Sequence, residues 1–302
     1  MSELRFNELR GEQVVYAVDR QERTFLPDTE RCPLCPTRPG GPVTEIPVEA
    51  FEIVVFENLF PTFEAPAGAA EVVVYTDDHD GSFAALEPAR ARDLMWVWRQ
   101  RYEELGARED VAYVLIFENR GVEVGTTLHH PHGQIYAFPF LPPVAALELA
   151  ADERLGGCAT CALMERELEG GERVVFASAQ VLAYVPYAAR WPYETHVVMR
   201  EHRPSLAECS GDELDALAAA LQALTRGFDR LFERPFPYVM VLHQAPCDER
   251  RAGHLHVEFY PPLRTATKLK YLAGCEQGAG TFVMDVLPEA SAAALRKAID
   301  AA

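Results

Sequence analysis

Thr127-Leu-His-His-Pro-His-Gly-Gln-Ile-Tyr-Ala-Phe138 holds three of the chain's nine histidines within four positions. Pro131 fixes its own φ and restrains His130 before it toward an extended conformation. In an extended chain alternate side chains share a face, so His130, His132 and Gln134 are expected to point the same way. A metal ligand, a nucleophile and a hydrogen-bonding amide on one strand face make a kit for phosphoryl chemistry.

Outward from this stretch the chain repeats itself. The first half carries Cys32-Pro-Leu-Cys35, then His79, then His130-Pro-His132. The second carries Cys158-Ala-Thr-Cys161, then His202, then His254-Leu-His256. Cys35 to His79 is 44 residues and Cys161 to His202 is 41; His79 to His130 is 51 and His202 to His254 is 52. The flanks match too. Strand-like Val72–Tyr75 and His196–Met199 each run into an acidic-His pair. Helical patterns follow at about 87–105 and 211–232, then strand-like Tyr113–Phe117 and Tyr238–Leu242. The pattern predicts an α+β protein of two tandem units, 1–145 and 146–302, each an antiparallel sheet with packed helices.

Each unit offers Cys₂His₂, a ligand set that suits structural zinc: Cys32, Cys35, His79 and His130, then Cys158, Cys161, His202 and His254. A redox C-x-x-C is the other reading of the second pair. Cys209 and Cys247 have no partner at metal spacing, and an odd total of seven is poor evidence for disulfides. His129 should face away from the ligand side, and His196 reads as a core histidine. Trp96, Trp98 and Tyr102 read as one helix packed on a sheet.

The net charge of −18 argues against nucleic-acid polymers and anionic membranes as partners. No apolar run reaches the length of a membrane span, and MSELRFNELRGEQ lacks the apolar core of a signal peptide, so the expected location is cytoplasmic.

Phe117-Glu-Asn-Arg-Gly121, Gly125 and His130-Pro-His-Gly-Gln-Ile-Tyr136 resemble the galactose-1-phosphate uridylyltransferases, a branch of the histidine-triad superfamily. Arg5–Leu9, Val18–Arg23, Pro186–Glu194 and Phe259–Leu263 extend the likeness over nearly the whole chain. The resemblance implies two histidine-triad-like units and a ping-pong exchange. His132 would attack the α-phosphorus of UDP-glucose, release glucose 1-phosphate, and pass the uridylyl group to galactose 1-phosphate. Gln134 would hold the phosphoryl oxygen; it stands where hydrolases of the superfamily carry a third histidine, which favours transfer over hydrolysis. A related nucleotidyltransferase or phosphorylase for another nucleotide sugar, such as ADP-glucose, is the alternative.

The resemblance further implies zinc at Cys32, Cys35, His79 and His130. It matches Asn119 and Thr127 to phosphate-contacting positions and Asn58 and Phe60 to the nucleoside pocket. Arg20, Arg23, Lys270 and Glu276 match positions that reach substrate across a homodimer interface. Leu59 stands where an acidic residue is usual, and Cys275 where a sugar-side Tyr often stands. Some relatives bind iron or zinc in the second half through a Glu and three His; here those positions read Glu148, His243, His256 and Glu258. The second zinc is therefore expected at Cys158, Cys161, His202 and His254, with the carboxylate-rich set as the alternative. Glu258 replaces the glutamine in the second half, which points to a structural and dimer-forming role there.

Overall fold

The computed structural model of the chain describes residues 2–22, 24–248 and 252–301. An N-terminal hairpin, β1 (Glu3–Asn7) and β2 (Glu12–Tyr16), stands apart from the main sheet. The first repeat then supplies β3 (Val54–Glu57), β4 (Ala69–Val74), helix α1 (Pro88–Gly106), β5 (Tyr113–Arg120) and β6 (His132–Phe138). Helices α2 (Pro143–Leu155) and α3 (Ala159–Gly170) lead into the second. That repeat supplies β7 (Val174–Ala177), β8 (Val181–Tyr184), β9 (Thr195–Met199), helix α4 (Gly211–Leu231), β10 (Tyr238–His243), β11 (His256–Tyr260) and helix α5 (Pro288–Asp300).

All nine strands of the main sheet are antiparallel, in the order β3-β4-β6-β5-β10-β11-β9-β8-β7. The two repeats are therefore joined strand to strand, through β5 and β10. Leaving aside the extra edge strand β7, the order β3-β4-β6-β5 is mirrored by β8-β9-β11-β10. The expected boundary near residue 145 lies inside α2.

The two long helices cover one face of this sheet. α1 starts with Pro88, whose missing N–H costs nothing at a helix start. It buries Ala91, Leu94, Met95, Trp98 and Leu105, a spacing of three and four residues. α4 opens with a reciprocal Ser210–Glu213 capping box and buries Leu214, Leu217, Leu221, Leu224 and Phe228 at the same period. Both stripes enter one core with the inward residues of both repeats, among them Ile135, Ala137, Val257 and Phe259. Trp98 is fully buried there, whereas Trp96 is 45% exposed and carries Arg99 over its ring. The expectation that the whole aromatic cluster is core thus fails for Trp96, which lies off the apolar stripe.

The opposite face is covered differently in each half. On the first half, Cys32, Leu34, Cys35 and Ile46 pack against Val72 and Val74 of β4. On the second, Met164 of α3 packs against Leu182, Tyr184 and Val198. The side chains of His132, Gln134 and Tyr136 emerge on this face of β6, while Gly133, Ile135 and Ala137 turn to the helices.

Candidate active site and metal centres

His130 sits two residues before β6, and Pro131 carries the chain into the strand. The Tyr75 backbone N–H donates to the Pro131 carbonyl (3.3 Å). His132 Nδ1 lies 2.8 Å from the His130 carbonyl oxygen. A carbonyl only accepts, so Nδ1 carries the proton and Nε2 keeps its lone pair. Gln134, two residues on, accepts at Oε1 from the Tyr136 hydroxyl (3.2 Å), which leaves its amide N–H₂ free to donate. The Tyr136 hydroxyl in turn accepts from the Arg20 guanidinium (2.9 Å) and from Thr62 (3.1 Å). A directional chain Arg20→Tyr136→Gln134 therefore ends at the amide beside the candidate nucleophile.

His132 and Gln134 line a cleft with Leu34, Phe56, Asn58, Leu59, Phe60, Thr127 and Leu128. Its lining mixes apolar side chains with polar ones, Glu45 among them, a composition that suits a polar ligand with a flat ring. Asn58 Oδ1 accepts from the Phe60 backbone N–H (2.9 Å), fixing the turn that presents both. Asn119 lines an adjoining cleft with His130, His132 and Thr126. His129 is exposed.

The predicted substrate residues thus divide. His132, Gln134, Asn58, Phe60 and Thr127 share one cleft, and Asn119 opens onto its neighbour beside His132. Arg20 meets Thr62 and Tyr136 of its own chain. Arg23 lies outside the described residues. Lys270 and Glu276 line neither cleft; they pair with each other at 3.0 Å, and Lys270 also donates to the Val283 carbonyl (2.8 Å). Lys270, Val283 and Ala273 together hold the Glu276 carboxyl down to about 2. Sequence reasoning missed Tyr136 and Thr62. Alternation along β6 was signal enough for Tyr136, since it shares a face with His132 and Gln134; Thr62 left none.

Beside the cleft, one atom from each of Cys32, Cys35, His79 and His130 lies within 4.8 Å of the others. Cys35 Sγ is 3.4 Å from His79 Nδ1 and 3.5 Å from His130 Nδ1. Such separations fit ligands around one tetrahedral ion with metal–sulfur and metal–nitrogen distances of about 2.3 and 2.0 Å. His130 Nε2 lies 2.7 Å from the Thr76 carbonyl, so Nε2 is the donor and Nδ1 is free to ligate. Burial pushes the Cys32 thiol up and the Cys35 thiol up to about 12, and lowers His130. The pocket thus keeps imidazole neutral and leaves thiols that a cation would deprotonate.

The second half repeats this geometry. Cys158, Cys161, His202 and His254 meet the same 4.8 Å criterion. Cys161 Sγ is 3.3 Å from His254 Nδ1 and 3.6 Å from His202 Nδ1, and His254 Nε2 lies 2.8 Å from the Met199 carbonyl. Burial lifts Cys161 to about 12 and lowers His254 to about 4.

Glu148, His243, His256 and Glu258 form a third group. His256 Nδ1 lies 2.7 Å from the His254 carbonyl, as His132 does at His130. Its outer nitrogen, however, meets Glu258 at 3.5 Å where His132 has an amide as neighbour. Glu258 is also held by His196 (3.1 Å) and by the Tyr260 hydroxyl. Burial opposes its ionisation, but His196, His256 and His243 keep it well below the usual carboxylate range. His196, half-buried, is satisfied by two carboxylates: it bridges Glu258 and Glu194, the latter at 3.2 Å.

Comparison with known proteins identifies the family of the chain. Residues 52–142 match the galactose-1-phosphate uridyl transferase N-terminal domain, and residues 150–302 match the C-terminal domain of the same family. A galactose-1-phosphate uridylyltransferase of Thermotoga maritima is 38% identical over 98% of this chain and 98% of its own length. One from Streptomyces lividans is 37% identical over 99% of this chain and 88% of its own. A solved uridylyltransferase structure superposes with a TM-score of 0.88 at 31% identity, covering 100% of this chain and 99% of its own. An ADP-glucose phosphorylase from Arabidopsis thaliana shares the fold, with a TM-score of 0.76 at 21% identity and 98% of each chain covered. Matched along both repeats and at full length, this chain belongs to the galactose-1-phosphate uridylyltransferase family.

Proposed function

We propose that the chain transfers UMP from UDP-glucose to galactose 1-phosphate, with His132 as the covalent carrier. The observation that carries the reading is the pair His132–Gln134 in one cleft, with His132 Nδ1 tied to the His130 carbonyl. The unprotonated Nε2 attacks the α-phosphorus; the bond from that phosphorus to the bridging oxygen breaks, and its electron pair leaves with glucose 1-phosphate. The uridylyl-imidazole is cationic, and the His130 carbonyl stabilises it through the Nδ1 proton. An oxygen of galactose 1-phosphate then attacks the same phosphorus, and Nε2 leaves with its lone pair restored. Gln134 donates to a non-bridging oxygen in both steps, and the Arg20–Tyr136 chain fixes its amide in that sense. Sugar phosphates are competent leaving groups, so no third histidine is needed to protonate them. Asn58, Phe60 and Thr127 hold the nucleotide, and Asn119 reaches its phosphates.

Zinc fits both Cys₂His₂ groups, where the donor set, the spacing and the backbone carbonyl behind each inner histidine all suit it. In the first half it would brace the segment that presents His132. Residues 1–145 carry the chemistry in this reading, and 146–302 support it. Arg23, Lys270 and Glu276 are assigned to a homodimer contact near substrate. Exposed Leu4, Phe6 and Leu9 on the N-terminal hairpin support such an assembly, which light scattering of the purified chain tests. No helix among the described residues is long and apolar enough to cross a membrane, and we assign the enzyme to the cytoplasm.

Intact-protein mass spectrometry after mixing with UDP-glucose alone tests the mechanism. The expected result is one added uridylyl group, absent in His132→Ala and discharged by galactose 1-phosphate. An adduct formed only with ADP-glucose would move the substrate to the alternative nucleotide sugar.

A further inference from the structure

Behind the nucleophile strand, on the helix face, lies a buried polar group that the transfer mechanism does not use. Glu118 is 4% exposed; one carboxylate oxygen accepts from the Tyr238 hydroxyl (3.2 Å) and the other has no hydrogen-bond partner. Burial pushes this carboxyl up to about 7. The fully buried Tyr75 hydroxyl lies beside it, with the Glu118 carboxyl as the group that acts on it and no other hydrogen-bond partner. Phe117 stands opposite Gln134, so Glu118 comes next along β5, level with Gly133. A Cβ built on Gly133 would fall 2.2 Å from the Tyr75 hydroxyl oxygen. That hydroxyl therefore fills the space a side chain at Gly133 would need, against the backbone between His132 and Gln134.

The second repeat supplies an internal control. The pair Val74–His132 corresponds to Val198–His256, so Tyr75 becomes Met199 and Gly133 becomes Val257. The pair Phe117–Gln134 corresponds to Val241–Glu258, so Glu118 becomes Leu242. All three replacements are apolar and buried in the shared core. The fold is satisfied at these positions without a polar atom, and unpartnered buried polar groups are costly. Their retention only behind the candidate nucleophile calls for a functional reason.

We propose that Tyr75 and Glu118 are positioning residues for the transfer, with Glu118 holding the Tyr75 hydroxyl against Gly133 and so fixing the aim of His132 and Gln134. The proposal rests on the transferase reading above. Tyr75→Phe removes only the hydroxyl that fills the space over Gly133. Its kcat should fall about tenfold or more, since small misplacements of a reacting group are that expensive. KM for UDP-glucose, metal content and melting temperature should stay unchanged. Glu118→Leu, which installs the second repeat's own residue, should be stable and similarly slow, and Glu118→Gln should recover most of the rate. Single-turnover formation of the uridylyl adduct separates the two levels of inference. A wild-type chain that forms no adduct overturns the transferase reading and the proposal with it. Adduct formation at the wild-type rate in Tyr75→Phe overturns the proposal alone. So does a loss spread over kcat and KM together with a lower melting temperature, which marks a merely structural role.

Discussion

The two repeats share a strand plan, a Cys₂His₂ group and even the backbone tie on the inner nitrogen of His132 and His256. They part at what each imidazole meets. In the first repeat the outer nitrogen opens onto a cleft beside Gln134, an amide with N–H groups to spare. In the second it meets Glu258, already engaged by His196 and Tyr260. At the strand position where Gln134 offers an amide to the proposed phosphate, the second repeat sets the buried carboxylate of Glu258, which disfavours an anion. An oriented imidazole is thus an inexpensive by-product of the fold, and the residue two positions along decides whether it can be used.

The largest expected effect tests this directly. His132→Ala should lower transfer on the order of 10⁴-fold or more, as removal of a covalent nucleophile does, whereas His256→Ala should leave kcat near wild type; a steady-state exchange assay compares them. Gln134→Glu makes the first strand read like the second. It should cost on the order of 10²–10³-fold in kcat, the scale for losing a donor to a developing anion, with the adduct rate as the readout. Cys35→Ser and Cys161→Ser should each remove one zinc equivalent by elemental analysis, but only the former should lower activity strongly, about 10–100-fold.

Glu258→Gln probes the second repeat by pH. The folded-state pKa of Glu258 is depressed, so its ion pairs stabilise the protein above the ordinary carboxylate range, and that contribution is lost as pH falls through the range and below. Melting temperature against pH should show a shallower acid decline in the variant. The smallest effect is expected at the exposed rim of the cleft. Leu59→Asp should change KM for UDP-glucose a few-fold, roughly the worth of one exposed polar contact, with kcat preserved.

Much of this was legible in the chain because metal ligands and strand alternation are local signals. The H-x-H and C-x-x-C spacings gave both Cys₂His₂ groups, and hydrophobic period placed α1 and α4 within a residue or so of their ends. The nine-strand order was not legible, because pairing of β5 with β10 joins segments more than a hundred residues apart and leaves no periodic trace in either. The N-terminal hairpin escaped for the opposite reason: its strands, 3–7 and 12–16, expose apolar and charged residues alike, without clean alternation. The Arg20–Tyr136–Gln134 chain and the Glu118–Tyr75 contact depend on three-dimensional neighbours. Glu118 in particular looks like an ordinary polar residue near a strand end until its burial is known.

The β5–β10 seam also determines how this protein can be divided. Each of these strands satisfies one backbone edge within its own repeat and the other only in the sister repeat. Severing the chain between the repeats and separating the pieces would leave β5 of the first with an open row of N–H and C=O groups along Ile116–Arg120, where β10 now pairs. The nearest match for that edge is another copy of the same fragment. The expected behaviour of an isolated first repeat is therefore self-association across β5, rebuilding with its twin the symmetric sheet that the intact chain completes alone.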